Sequence, residues 1–180
     1  MDFAQKDLYT IADIKALPEG QRAELIDGQM YMMAAPGRIH QEIVGELFGI
    51  IREYILRKKG ACKPYISPFA VFLYKDEKNY VEPDISVICD TNKLTDEGCC
   101  GAPDWIIEVV SPGSLRMDYM IKLFKYENAG VREYWIVDPL KQIVNVYDFA
   151  HNDMNSYTFS DEVPSGIYKD LAIDFSQIHL

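Results

Sequence analysis

The chain has 180 residues, 48% hydrophobic and 12% aromatic, with 28 acidic against 18 basic side chains for a formal net charge of −10. That size and apolar content suit a single domain, residues 1–180, with a sizeable core, and exclude a disordered chain. The negative balance argues against a nucleic-acid partner, because non-specific affinity for DNA comes from lysines and arginines that neutralise phosphates.

The start, Met1-Asp2-Phe3-Ala4-Gln5-Lys6-Asp7, lacks a basic region followed by an apolar one. No apolar run exceeds about six residues, against roughly twenty needed to cross a bilayer, so the expectation is a cytoplasmic protein with no membrane partner. Thr10-Ile11-Ala12-Asp13 predicts a short helix, Thr10 as N-cap and Asp13 as capping-box acid, ended by Pro18-Glu19-Gly20. In Glu24-Leu25-Ile26-Asp27-Gly28-Gln29-Met30-Tyr31 an Asp-Gly pair separates apolar runs, the mark of a tight N-terminal hairpin. Glu24 is then either an exposed strand residue paired with Arg22 or a contributor to a site. Past Pro36-Gly37, the stripe Ile39, Ile43, Leu47, Ile50 and Tyr54 predicts a helix over residues 38–59, capped by Gly60. His40 in its first turn is a capping or surface residue, or one more polar group brought to a site by a helix packed on the sheet. The basic residues Arg52, Arg57, Lys58, Lys59 and Lys63 cluster near its end; they make a locally positive face or a solvated helix end.

Strands are expected at residues 65–74 and, after the turn Lys75-Asp76-Glu77-Lys78-Asn79, at 80–89, with Val81-Glu82-Pro83-Asp84-Ile85 opening the second. Pro83 has no N–H for a ladder, so it marks a strand start, an edge or a bulge that re-aims Asp84. Residues 90–102 read as a loop. Cys62, Cys89, Cys99 and Cys100 lack framework spacing and fit buried or loop thiols in a reducing compartment. Pro103-Asp104-Trp105-Ile106-Ile107-Glu108-Val109-Val110 is a strand, apolar but for its carboxylates, and an ionised Glu108 inside it needs a compensating cation. A helix follows over residues 115–128, with Ser114 as N-cap, Gly130 in a left-handed turn, and Asp118, Lys122 and Tyr126 four apart on one face. A strand at 131–137, stopped by Asp138-Pro139, completes a strand–helix–strand crossover and hence a parallel pair in one sheet. Further strands are expected at 142–149 and 157–160, separated by the loop His151-Asn152-Asp153-Met154-Asn155; residues 171–180 alternate only weakly.

Asp84, Glu108 and Lys122 are together the parts of a magnesium-dependent phosphodiesterase site. Mg²⁺ takes hard oxygen ligands and keeps several waters, so two carboxylates plus substrate suffice, and a nearby lysine can orient water or offset charge. Taken singly, Asp118 and Lys122 could be an exposed helical pair, Asp84 a turn residue and Glu108 a strand acid paired with an arginine. Other chemistries lack their parts: there is no Gly-rich phosphate loop, Cys-x-x-Cys or Gly-x-Ser-x-Gly, and only three histidines, His40, His151 and His179.

Glu24-Leu25-Ile26-Asp27-Gly28, His40, Pro83-Asp84, the Pro103-to-Pro112 run, Asp118 with Lys122, and Gly130-Val131-Arg132-Glu133-Tyr134-Trp135-Ile136-Val137-Asp138-Pro139 resemble the bacterial Uma family of restriction endonucleases, within the PD-(D/E)XK nuclease superfamily. The resemblance covers about residues 8–150. It implies a restriction-endonuclease-like α/β fold, a mixed sheet flanked by helices, with Mg²⁺-dependent (or Mn²⁺-dependent) cleavage of DNA. It also implies Asp84 and Glu108 as metal ligands. The superfamily's lysine two residues after the second acid is Val110 here, which passes that role to Lys122; Glu24, His40 and Asp118 are supporting candidates. A homodimer is expected because double-strand cleavage needs two sites. A non-catalytic nuclease-fold module and a hydrolase of a small phosphate ester stand as alternatives.

Overall fold

Local chemistry sets the first elements. The computed structural model describes residues 8–178; the segment at residues 1–7 and His179 lie outside the described residues. Helix α1 (Ile11–Lys15) starts at the expected capping box, where Thr10 N donates to Asp13 Oδ2 at 2.9 Å. Strands β1 (Ala23–Ile26) and β2 (Gln29–Met32) form the antiparallel hairpin, and Asp27 and Gly28 both take positive φ, 51° and 77°, as a tight Asp-Gly turn requires. Helix α2 (Arg38–Arg57) buries Ile43, Val44, Leu47, Ile51, Tyr54 and Ile55. Ile39, placed on that stripe by spacing, is exposed, and the left-handed residue at the helix end is Lys59 (φ 52°) in place of Gly60.

The chain continues through β3 (Lys63–Ile66), β4 (Val71–Phe72), β5 (Ile85–Ile88), β6 (Leu94–Thr95), β7 (Gly98–Cys100) and β8 (Trp105–Val109). A helical segment then runs through a π-helical stretch, Met117–Lys122, into α3 (Leu123–Ala129), with Gly130 left-handed at φ 91° as predicted. Five strands complete it: β9 (Glu133–Asp138), β10 (Ile143–Asp148), β11 (Asp153–Thr158), β12 (Glu162–Pro164) and β13 (Ala172–Asp174). Six of the thirteen strands described form the central mixed sheet in the order β11-β10-β9-β8-β5-β3; β8 and β9 are parallel, as the crossover predicts, and the other neighbours antiparallel.

Alternation along β8 sorts the core. Trp105, Ile107 and Val109 face α2 together with Trp135 and Val137, and the two indoles meet edge-on at 4.9 Å. Ile106 and Val110 face the other way, toward Tyr126, Tyr134 and Ile136. Glu108 shares this second face by its period-two position.

Several expectations are corrected. The strand expected at 65–74 is two strands in different sheets, divided around Pro68, which cannot donate to a ladder. The second strand begins only at Ile85; Tyr80 and Val81 make isolated bridges to Leu25 and Val71. The loop at 90–102 contains β6 and β7, which with β4 form a small three-stranded sheet. Asp153 to Asn155, expected as loop, begin the edge strand β11, whose mostly exposed face leaves no apolar alternation to read. Cys62 and Cys89 are disulfide-bonded, because the register Lys63↔Ile88 brings the flanking cysteines opposite one another; Cys99 and Cys100 are free.

Candidate active site

The register of β5 against β8 builds the first half of the site. Pairing stops at Ile85↔Ile107, and the residue that would next exchange bonds with Val109 is Pro83, which has no N–H. Val109 N donates instead to Asp84 Oδ2 at 2.8 Å, and Asp84 N donates to Glu108 Oε2 at 3.3 Å. Each of the two acids is thus held by its neighbour's strand, and their carboxylates are fixed relative to each other by backbone.

The second half comes from the helical segment after β8. Lys122 Nζ lies 2.8 Å from Glu108 Oε1, 2.9 Å from Glu24 Oε1 and 3.8 Å from Asp118 Oδ1. Tyr126 OH donates to Glu108 Oε1 at 2.7 Å, so Asp118, Lys122 and Tyr126 all turn inward, as their spacing suggests. Asp118 and Lys122 are 2% and 4% exposed, which rules out the exposed helical pair. The π-helical stretch carries both, and such widened turns are frequent at functional sites. Glu24 is buried and also accepts from Glu82 N at 3.0 Å. Arg22, its expected partner, bonds Glu82 instead. At the start of α2, His40 Nε2 lies 3.1 Å from Asp84 Oδ2, and its Nδ1 is buried with no partner among the described residues.

Burial dominates the electrostatics. Desolvation drives the Glu108 carboxyl well above the usual range against the pull of Lys122, and raises Asp118 to about 6. It opposes the charge on Lys122 as well, but Glu108, Glu24 and Asp118 more than offset it and hold the ammonium group well above its ordinary value. For His40 burial works against protonation, yet the hydrogen bond and charge of Asp84 raise its pKa.

Glu24, His40, Asp84, Glu108, Asp118 and Lys122 all line one cavity of about 580 Å³. The cavity also takes in Arg22, Ser67 and Glu82, which carried no sequence signal because their mutual bonds join distant segments. Among the described residues no three His, Cys, Asp or Glu side chains converge as a ready-made metal cage. The donor set nevertheless fits a hard divalent ion held by two carboxylates and completed by water and substrate. Burial disfavours the charged form of Glu108, which a bound cation would restore, and the Val109 and His40 contacts of Asp84 both fall on Oδ2.

A mixed sheet flanked by helices, with two clasped carboxylates and a lysine in a cleft beside it, defines a nuclease-like α/β protein. A crystal structure of a "putative nuclease belonging to DUF820" from Anabaena variabilis ATCC 29413 superimposes with a TM-score of 0.76 at 21% identity, covering 94% of this chain and 96% of that one. The chain belongs to the Uma2 family, described as "Putative restriction endonuclease", whose profile matches residues 9–166. No curated protein matches.

Proposed function

We propose that the chain is a Mg²⁺-dependent DNA endonuclease, with Mn²⁺ able to replace Mg²⁺, that hydrolyses phosphodiester bonds in this cavity. Its main support is the charge of the site: Glu24, Asp84, Glu108 and Asp118 meet one lysine and one histidine. With all four acids ionised, which a bound cation favours against the burial that raises Glu108 and Asp118, and with His40 protonated, two negative charges remain, the amount a divalent ion neutralises. Asp84 and Glu108 are the ligands. Bound Mg²⁺ supplies a Lewis acid at the phosphoryl oxygen and a readily deprotonated water. Lys122, kept charged by its three carboxylates, orients the attacking water and offsets charge growing on the phosphate, help worth about 2.7–4 kcal/mol for a preset donor. His40 fixes the Asp84 carboxylate, while Glu24 and Asp118 fix Lys122. Such an enzyme works where cellular DNA lies, in the cytoplasm, and as a homodimer, because cutting both strands requires two sites.

The test is cleavage of supercoiled plasmid and linear duplex with and without Mg²⁺. The wild type should cut only with metal, and Glu108→Gln should lose at least about a hundredfold in rate. Metal-independent cutting, or a fully active Glu108→Gln, would overturn the proposal. The charge of −10 favours one second reading, hydrolysis of a small phosphate ester. Salt separates the two, since DNA cleavage should weaken steeply as salt rises and ester hydrolysis should not.

A further inference from the structure

Arg22 stands on the wall of the same cavity, two residues before Glu24, in the extended chain that continues the hairpin through Met33 N→Arg22 O. Residues two apart on an extended chain share a side and lie about 7 Å from each other. Arg22 therefore flanks the carboxylate–lysine cluster without joining it. Its guanidinium is fixed from behind: Nε donates to Glu82 Oε2 at 2.7 Å and Nη2 to Ser67 Oγ at 2.7 Å. Glu82 is itself buried and held by Tyr80 OH at 2.5 Å. Among the described residues Nη1 has no partner, and the side chain is 35% exposed.

Of the three basic side chains on the cavity wall, Lys122 is enclosed by three carboxylates and His40 is engaged by Asp84 with its other ring nitrogen buried, which leaves Arg22 as the cation with an accessible donor to spare. Arg22 and Glu82 also line a second cavity of about 450 Å³ that includes Lys15, Gln21, Phe72 and Tyr80. The guanidinium stands where the two hollows adjoin.

We infer that Arg22, with the Ser67 hydroxyl, is a phosphate-binding subsite that holds the phosphate next to the scissile one, on a nucleic-acid strand leading from the first cavity toward the second. This deepens the nuclease proposal and rests on it. The fixed planar fork suits a phosphate, with Nη1 donating to one oxygen and the Ser67 O–H, whose oxygen already accepts from Arg22, donating to another. A small ester has no neighbouring phosphate and would leave the subsite unused.

The test is anisotropy of a labelled duplex with Ca²⁺ replacing Mg²⁺, over a series of NaCl concentrations, for wild type and Arg22→Gln. Loss of one phosphate contact should make the slope of log K against log salt shallower by about 0.9 in the variant. Should Arg22→Gln not fold, the double variant Arg22→Gln/Glu82→Gln removes the stranded buried acid and gives the same readout. A folded variant with the wild-type slope would overturn the subsite alone, as expected of a purely structural Arg22–Glu82 pair. A wild type that shows no salt-dependent binding to DNA would overturn the DNA-cleaving proposal, and the subsite with it.

Discussion

Lys122 is one cation among three buried carboxylates, and the asymmetry of that arrangement makes its substitutions unequal. Lys122→Met would strand Glu24, Glu108 and Asp118 without a counter-charge, a loss of about 3–5 kcal/mol by the usual cost of breaking a buried pair. Glu108→Gln removes one acid from a group with negative charge in surplus; Lys122 keeps Glu24 at 2.9 Å and Tyr126 keeps an oxygen to donate to. Urea denaturation should therefore place Glu108→Gln within about 1 kcal/mol of wild type and Lys122→Met far below it. At this scale the meeting of Asp84, Glu108 and Lys122 is legible in the sequence, because a carboxylate in an apolar strand and a lysine spaced four from an acid are local signals. The bond from Glu24 to Lys122 was not, since it joins the hairpin to the helix after β8 and only the folded chain brings them together.

The pairing of β5 with β8 decides how Asp84 contributes. Asp84→Ala removes the acceptor for Val109 N–H and should cost about 1–3 kcal/mol, whereas Asp84→Asn keeps an acceptor and should retain most of the stability; under the proposed function both would lose metal binding. Thermal melts of the two variants separate these effects. Pro83 hinted at this re-aiming, but the clasp itself depends on register. Elements with a strong period or turn signal, the Asp-Gly hairpin, α2 and the crossover from β8 to β9, were readable. Strands of two or three residues such as β6 and β7 are too short for a period, and the π-helical widening at Met117–Lys122 leaves the i, i+4 pattern intact and so invisible. On β9, Glu133 is buried beneath the Ile167 loop, accepting from Trp135 Nε1 at 2.5 Å and Ile167 N at 2.8 Å, and burial raises it to about 7. A raised folded-state pKa means the native protein binds more protons than the unfolded chain between pH 4.5 and about 7, so stability falls as pH rises through that window. Glu133→Gln should remove that fall, improving relative to wild type by about 3 kcal/mol between pH 4 and pH 8 in denaturation measured at both.

Across the whole molecule the charge is unevenly placed. Helix α2 starts at the cavity with His40 and reaches Arg57 about 25 Å away, so the basic cluster at its far end lies well away from the cavity. Lys58 there is paired with Asp170. The cations at the cavity itself are Lys122, His40 and Arg22, and the acids outnumber them, which is why composition speaks against DNA while the site calls for a divalent ion. The most direct test of that claim is calorimetric titration of Mg²⁺ into wild type, Asp84→Asn and Glu108→Gln, each shown to be folded, with and without a duplex. The two-carboxylate site predicts binding by wild type and its loss in both variants. Binding that survives in both, or none by wild type even with DNA present, would contradict it.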